Sequence, residues 1–449
     1  MVVYGPPSKY QREEESIVFI FSKEFWLFDM KERREKMRRL NIFVYISVVV
    51  ALLIFQYIPT SALAQEKEIR IGMITTLTGP FASSGKEMVE GVKLYLEDVG
   101  YKIAGKQVEF IAEDDEANPT VTLSKARKLV EMNRIHVLIG PMVTSTGYAI
   151  QPYADSNKIP TLPVAAADDL TQRKMVKYML RLTCSVSQIT HPLGEYAYHT
   201  LGYRKIACIA ADYAFGWEAV GGLQRTFEES GGKIVQKIWV PLNAKDMSPY
   251  IAQISSDANA VYAHLAGSMA TMYLKQHQEY GFKGKLPVIG WGVLTDESLL
   301  PSMGDEALGV ITAYNYSGAL DIPPNREFIK KSKAKLGKGP SLFSEATYNA
   351  AYLIDEAAKA LKGNFSNPEE VLKAMKSAYL KETTRGPIKF DAYGNPIQNV
   401  YIRKVERVGG ELQNTVIHTI PDVSQFWKYK PEEYLKQPPY SRDYPPLKP

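Results

Sequence analysis

Thr144 and Ser145 stand at the start of an expected helix, directly after a short apolar run, Val137–Ile139. A helix start leaves backbone N–H groups without intrahelical acceptors and carries partial positive charge, so this corner suits an anion. Simple N-capping is the structural use of the same two residues, but the position behind a strand end favours a ligand. Other chemistry-bearing groups are less organised. Glu113-Asp114-Asp115-Glu116 lacks the spaced oxygen ligands of a calcium loop and reads as a strand-end turn leading into a capped helix. His136, His191, His199, His264, His277 and His418 are scattered, with no HExxH pair and no other metal-ligand spacing. Cys184 and Cys208 lie in apolar surroundings and read as buried free thiols rather than a disulfide. No GxSxG or GxxxxGK[ST] occurs, and Gly221-Gly222 and Gly231-Gly232 do not build a GxGxxG turn. With no nucleophile–base pair, no enzyme activity, metal or cofactor is expected.

The elements that must position the anion corner follow from alternating short apolar runs and amphipathic stretches, the pattern of βαβ units around parallel sheets. Ile69–Thr75 predicts a strand. Over Ser84–Val99, Met88, Val92, Tyr95, Leu96 and Val99 share one helical face. Val108–Ala112 is the next strand, and Asn118-Pro119 opens a helix running through Met132. Helix Ser145–Asp155, a strand near Pro160–Leu162 and another near Tyr178–Leu182 follow. A second set then begins: helix Gln188–Leu201, strand Lys205–Ala210, helix Gly216–Ser230 and strand Lys233–Val240. It continues with helix Pro249–Asp257, strand Ala260–Ala263, helix Ser268–Tyr280 and strand Pro287–Gly290. Helices near Asn325–Leu336 and Ser344–Leu361 precede a strand-like ending, GPIKFDAYGNPIQNVYIRKVE. Residues 421–449, rich in Pro, Tyr and Lys, predict a surface-wrapping or loose tail.

At 449 residues, two domains are the default. The 54 Lys and Arg nearly balance 49 Asp and Glu, too little bias for a nucleic-acid partner. Lys31, Arg33, Arg34, Lys36, Arg38 and Arg39 precede an apolar run, Ile42–Ile58, which ends near Ala62-Leu63-Ala64. This is the layout of an export signal, with cleavage expected after Ala64; the competing reading is an uncleaved membrane anchor. Residues 1–29 form an unusually long leader, and Met30 or Met37 would each give a conventional start.

IRIGMITTLTGPFASSGKEMVEGVKL (69–94), EDDEANPTVTLSKARKLV (113–130) and VLIGPMVTSTGYAIQPYADSNKIPTLPVAAADDLT (137–171) together resemble the leucine/isoleucine/valine-binding family of type I periplasmic binding proteins. IACIAADYAFGWEAVGGLQRTFEESGG (206–232) and GPIKFDAYGNPIQ (386–398) continue the likeness in family order, over roughly residues 66–420. The resemblance implies an α/β fold of two doubly wound, parallel-sheet lobes joined by three crossover strands. By analogy, 66–183 with 318–385 would form one lobe and 184–317 with 386–420 the other, with 421–449 as the tail. It implies a monomeric solute-binding protein of an ABC uptake system, which holds a small organic ligand between lobes and delivers it to a permease.

The resemblance also places site residues. Thr144 and Ser145 fall where the family holds the ligand carboxylate. Ala165, Ala166 and Ala167 match its Ala-Ala-Thr segment, without the threonine hydroxyl at Ala166. Ser84 matches an aromatic wall position, Phe215 a binding-site tyrosine with Tyr213 beside it, and Ala266 and Gly267 a loop that often holds another tyrosine. Gly290-Trp291-Gly292 stands where amino-acid binders keep the acid that pairs with the ligand ammonium, and no acid is present there. An unpaired buried ammonium is costly, so an aromatic or other non-amino organic acid is the expected ligand, facing Trp291, Phe215 and Tyr213. The alternative is a branched-chain amino acid, with Asp296 or Glu297 supplying the charge. A membrane-tethered sensor is the alternative of another class.

Overall fold

The computed structural model describes residue 26, residues 30–50 and residues 68–448. Residues 30–50 are helical and belong to a unit separate from residues 66–449. No described helix is long and apolar enough to cross a membrane. The expected cleavage after Ala64, and the part of the apolar run beyond residue 50, lie outside the described residues.

The first sheet contains β1 (Glu68–Thr75), β2 (Lys102–Ile103), β3 (Lys106–Asp114), β4 (Val137–Ile139) and β5 (Thr161–Leu162), in the order β2-β3-β1-β4-β5. Except for the β2–β3 hairpin, its pairings are parallel. Parallel strands are covered on both faces, which is why Ile69, Ile71, Met73 and Ile74 of β1 are all buried. α1 (Ala82–Asp98) buries Met88, Val92, Tyr95 and Leu96, as its periodicity requires. α2 (Pro119–Arg127) opens on Asn118, whose side chain accepts from the N–H groups of Thr120 and Val121, and continues as a π-helical turn over Lys128–Met132. α3 (Thr144–Ser156) follows β4.

α4 (Val186–His199) leads into the second sheet, built from β6 (Lys205–Ala211), β7 (Lys233–Val240), β8 (Ala260–His264), β9 (Val288–Trp291) and β10 (Ile311–Tyr314). Its helices are α5 (Ala214–Glu229), the single turn α6 (Ser248–Ile251) and α7 (Ser268–Glu279). β11 (Ile388–Phe390), β12 (Pro396–Val408) and β13 (Glu411–Val423) complete it as antiparallel strands, giving the order β11-β12-β10-β9-β8-β6-β7 with β13 on β12. Between β10 and β11 come α8 (Pro323–Leu336), α9 (Leu342–Ala360) and α10 (Pro368–Ser377). α9 returns to the first body and lies on α1, where the Thr347 hydroxyl donates to the Met88 carbonyl (2.7 Å) and the Tyr95 hydroxyl to Asp355 (2.6 Å). The approach demands Gly91, since a Cβ there would stand 2.1 Å from the Ser344 carbonyl oxygen.

The chain therefore passes between the two bodies three times, and buried polar groups lace the passages together. Arg385 on the third passage pairs with Glu345 of α9 (2.6 Å) and donates to the Leu182 carbonyl on the first. Asn315 on the second donates to the Thr183 carbonyl (3.2 Å), which also accepts from Gln398.

Three expectations need correction. The strand over Tyr178–Leu182 reduces to one bridge, Met179 to Thr161, because β5 is two residues long and Arg181 N–H turns away to the Gly394 carbonyl. The helix over Pro249–Asp257 stops at Ile251; beyond it the Ser255 N–H donates to the Gln236 side chain and the Asp257 N–H to the Ser255 hydroxyl, local bonds that compete with helix. The tail boundary at 421 falls inside β13, and residues 424–448 pack over α4 and α5.

Candidate functional site

A cavity of about 490 Å³ opens at the carboxyl ends of strands from both sheets. β4 feeds it through Gly140, at φ 93°, where a Cβ would stand 2.0 Å from the Ile74 carbonyl oxygen. The chain then lines the cavity with Met142, Val143 and Thr144. The N-cap of α3 is Val143, whose side chain has no acceptor, so no side chain caps this helix and its first-turn N–H groups stay open to an anion. Ser145 is exposed and is not among the lining residues, because it follows the one residue of the turn that faces inward.

Of the three alanines after β5, only Ala166 lines the cavity. Ala165 and Ala167 are fully buried in the core with Ile150 and Leu170, since the extended backbone turns alternate residues away from the cleft. Ser84 lines it from the first turn of α1. So do Tyr213 and Phe215 at the start of α5, Ala266 and Gly267 before α7, and Trp291 at the end of β9. Eight of the eleven expected residues thus meet in one cavity, and Ser145, Ala165 and Ala167 do not.

Five rings form a continuous wall. Phe215 meets Tyr213 at 5.9 Å, His264 at 4.4 Å and Trp291 at 5.2 Å, all edge to face, and Trp291 meets Tyr314 at 4.7 Å. Sequence reasoning passed over His264 and Tyr314; His264 follows the predicted strand Ala260–Ala263 at the cleft, a signal that could have found it, whereas the four-residue strand ending in Tyr314 gives no such signal. Burial pushes the His264 imidazole down to about 3, so this wall is uncharged at neutral pH.

Two acids also line the cavity, Glu87 and Asp296. Asp296 Oδ1 accepts from the N–H (2.8 Å) and hydroxyl (2.5 Å) of Ser298, and Oδ2 accepts from the N–H of Leu342 (3.1 Å). Burial, and then the charge of Glu297, push Asp296 up to about 7. Burial also raises Glu87, against the pull of Ser341 and of Lys338, whose Nζ is 3.7 Å away. Glu87 was not anticipated, yet it lies three residues after Ser84 and hence on the same helical face. Glu297 points elsewhere, to Arg403 (3.0 Å) and Asn414 (3.1 Å).

The remaining candidates have structural uses. Asp114 and Asp115 accept from Leu77, Thr78 and Thr76, fastening β3 to the loop after β1, while Glu113 pairs with Lys125 and Lys128. Cys184 and Cys208 are buried and unpaired, and burial pushes both thiols up to about 12.

Residues 68–411 match the family described as periplasmic binding protein. The chain belongs to that family. Among similar binding proteins, the Leu/Ile/Val-binding protein homolog 6 of Brucella suis biovar 1 is 28% identical over 381 residues, 83% of this chain and 96% of the relative. An ABC transporter substrate-binding protein from Sphaerobacter thermophilus superposes with a TM-score of 0.77 at 32% identity, covering 80% of this chain and 99% of the other. A solute-binding protein of an ABC transporter from Rhodopseudomonas palustris BisB5, solved with 3,4-dihydroxybenzoic acid, gives 0.76 at 33% identity with the same coverage. This periplasmic binding protein is the solute-binding component of an ABC transporter, in a family that is exported and serves transport rather than catalysis. Its partners are accordingly a small ligand and a permease.

Proposed function

We propose that the protein captures an aromatic carboxylate and hands it to its permease. One observation carries the reading: a neutral wall of five rings and an uncapped helix start at Thr144 share one cavity. The wall suits an apolar ring and the helix start suits its carboxylate. The R. palustris relative with 3,4-dihydroxybenzoic acid supports the same ligand class. Ser84, Thr144, Ala166, Tyr213, Phe215, Ala266, Gly267 and Trp291 are the contacts in this reading. The closing units are residues 66–183 with 318–385 and residues 184–317 with 386–423, and the working form is a monomer released by cleavage after Ala64.

A second reading has its own observation. Glu87 and Asp296 could meet an ammonium, as a branched-chain amino acid would require, and the Brucella relative is named for such ligands. Against it, burial and the charge of Glu297 hold Asp296 up to about 7, so at neutral pH it offers an ammonium less than a full negative charge. Thermal-shift measurements with benzoate, 4-hydroxybenzoate and 3,4-dihydroxybenzoate beside leucine, isoleucine and valine separate the two. Stabilisation by an aromatic acid is expected; stabilisation by the amino acids alone ends the proposal.

A further inference from the structure

The cavity carries its acids at one end only. Both sheets meet it in matching lateral order, β1-β4-β5 in the first and β9-β8-β6 in the second. Two contacts show which ends face each other. Asp296, after β9, accepts from Leu342 at the start of α9, the helix that lies on α1 behind β1. On the other side Glu218 of α5, behind β6, accepts from the backbone N–H of Asp168 (3.0 Å), just past β5. Glu87 and Asp296 therefore share the β1/β9 end, while Thr144 and Ala166 line the cavity from β4 and β5 with Phe215 opposite.

We propose, resting on the aromatic-acid reading above, that Glu87 and Asp296 are the specificity-determining pair: they receive a ring hydroxyl at the end away from the ligand's carboxylate and refuse a second carboxylate there. Both side chains are nearly enclosed, at 5% and 4% exposure, so water screens them poorly. An added carboxylate beside them must either meet like charge or draw a proton into this poorly solvated corner at neutral pH, and both weaken binding. A hydroxyl suits it instead. Asp296 Oδ2 accepts one bond from Leu342 and keeps a second lone pair for an O–H donor. The other charged groups near the pair are Lys338, Glu90 and Glu297. Lys338 is half exposed and shared between Glu87 and Glu90, and Glu297 is paired with Arg403, so neither sign of neighbour cancels the acids.

Calorimetric titration of the purified, ligand-stripped protein with benzoate, 4-hydroxybenzoate and terephthalate at neutral pH tests this. 4-Hydroxybenzoate should bind at least as tightly as benzoate, and terephthalate about a hundredfold more weakly. Glu87→Gln and Asp296→Asn should each narrow that gap by about tenfold, chiefly by admitting terephthalate. If Asp296→Asn disturbs folding through Leu342, Glu87→Gln and the wild-type ligand ratio still decide. Terephthalate binding as tightly as 4-hydroxybenzoate, or a gap unmoved by Glu87→Gln, overturns this inference and leaves the aromatic-acid reading standing. Failure of all three acids to bind overturns both.

Discussion

Asp296 and Trp291 divide the work of recognition between charge and shape. Asp296 is held up to about 7 by burial and by Glu297, well above its value in an unfolded chain. The native state therefore binds more protons than the unfolded one between about pH 4 and 7, and this group's contribution to stability falls as pH rises through that window. An incoming carboxylate would raise Asp296 further, so binding of an aromatic acid should take up a proton. Affinity for benzoate, which has no ring hydroxyl to donate to Asp296, is expected to weaken from pH 6 to 8, with Asp296→Asn flattening the profile; an ammonium-bearing ligand would give the opposite slope. Titrations in two buffers of different ionisation enthalpy read the proton uptake directly. At Trp291, Leu keeps an apolar side chain but removes the edge of the wall that meets Phe215 and Tyr314. Trp291→Leu should weaken aromatic-acid binding by about fivefold, since ring–ring contacts are worth about 1 kcal/mol beyond area burial, and a titration checks it.

The tail is an element whose role its composition disguises. After β13 it crosses α4 and α5: Trp427 and Lys428 donate to Glu195, Tyr440 and His191 are joined at 2.8 Å, and Gln224 donates to the Pro446 carbonyl. Arg225 stacks on Tyr429 at 3.7 Å. Ending the chain after Val423 would leave the buried His191 without its tyrosine and bare the helix face beneath. A melting temperature lower by several degrees is expected in calorimetry, with ligand selectivity kept because no tail residue lines the cavity. Elements with strong periodicity were legible in advance: Val137–Ile139 and Lys233–Val240 have the bounds that their apolar runs predict. β10 was not, because four residues containing a polar Thr312 offer no period to count. α10 was overlooked although Asn367-Pro368 repeats the Asn-Pro opening of α2, and Asn367 accepts from the Glu369 N–H. At the site, strand-end position was readable and inward direction was not: neither the turn that exposes Ser145 nor the alternation that hides Ala165 and Ala167 can be read without the backbone.

At the scale of the molecule, a clamp needs passages that bend without coming apart, and the first and third passages here are joined at the Glu345–Arg385 pair. Arg385 is 1% exposed and also holds the Leu182 carbonyl, while Glu345 accepts from Thr384 and Asn349 as well. Such a pair contributes little net stability over a well-packed apolar replacement, yet removing one member strands the other's charge in the interior. Arg385→Ala should therefore lower the unfolding free energy by about 3–5 kcal/mol, and Glu345→Ala should lose a similar amount. The double variant should lose clearly less than the two losses added, because neither residue is then left as an unpaired buried ion. Urea unfolding of the four proteins closes this cycle. Strict additivity would mean that the two residues act on stability independently, and the passages would then have to be held by the Asn315, Thr183 and Gln398 bonds instead.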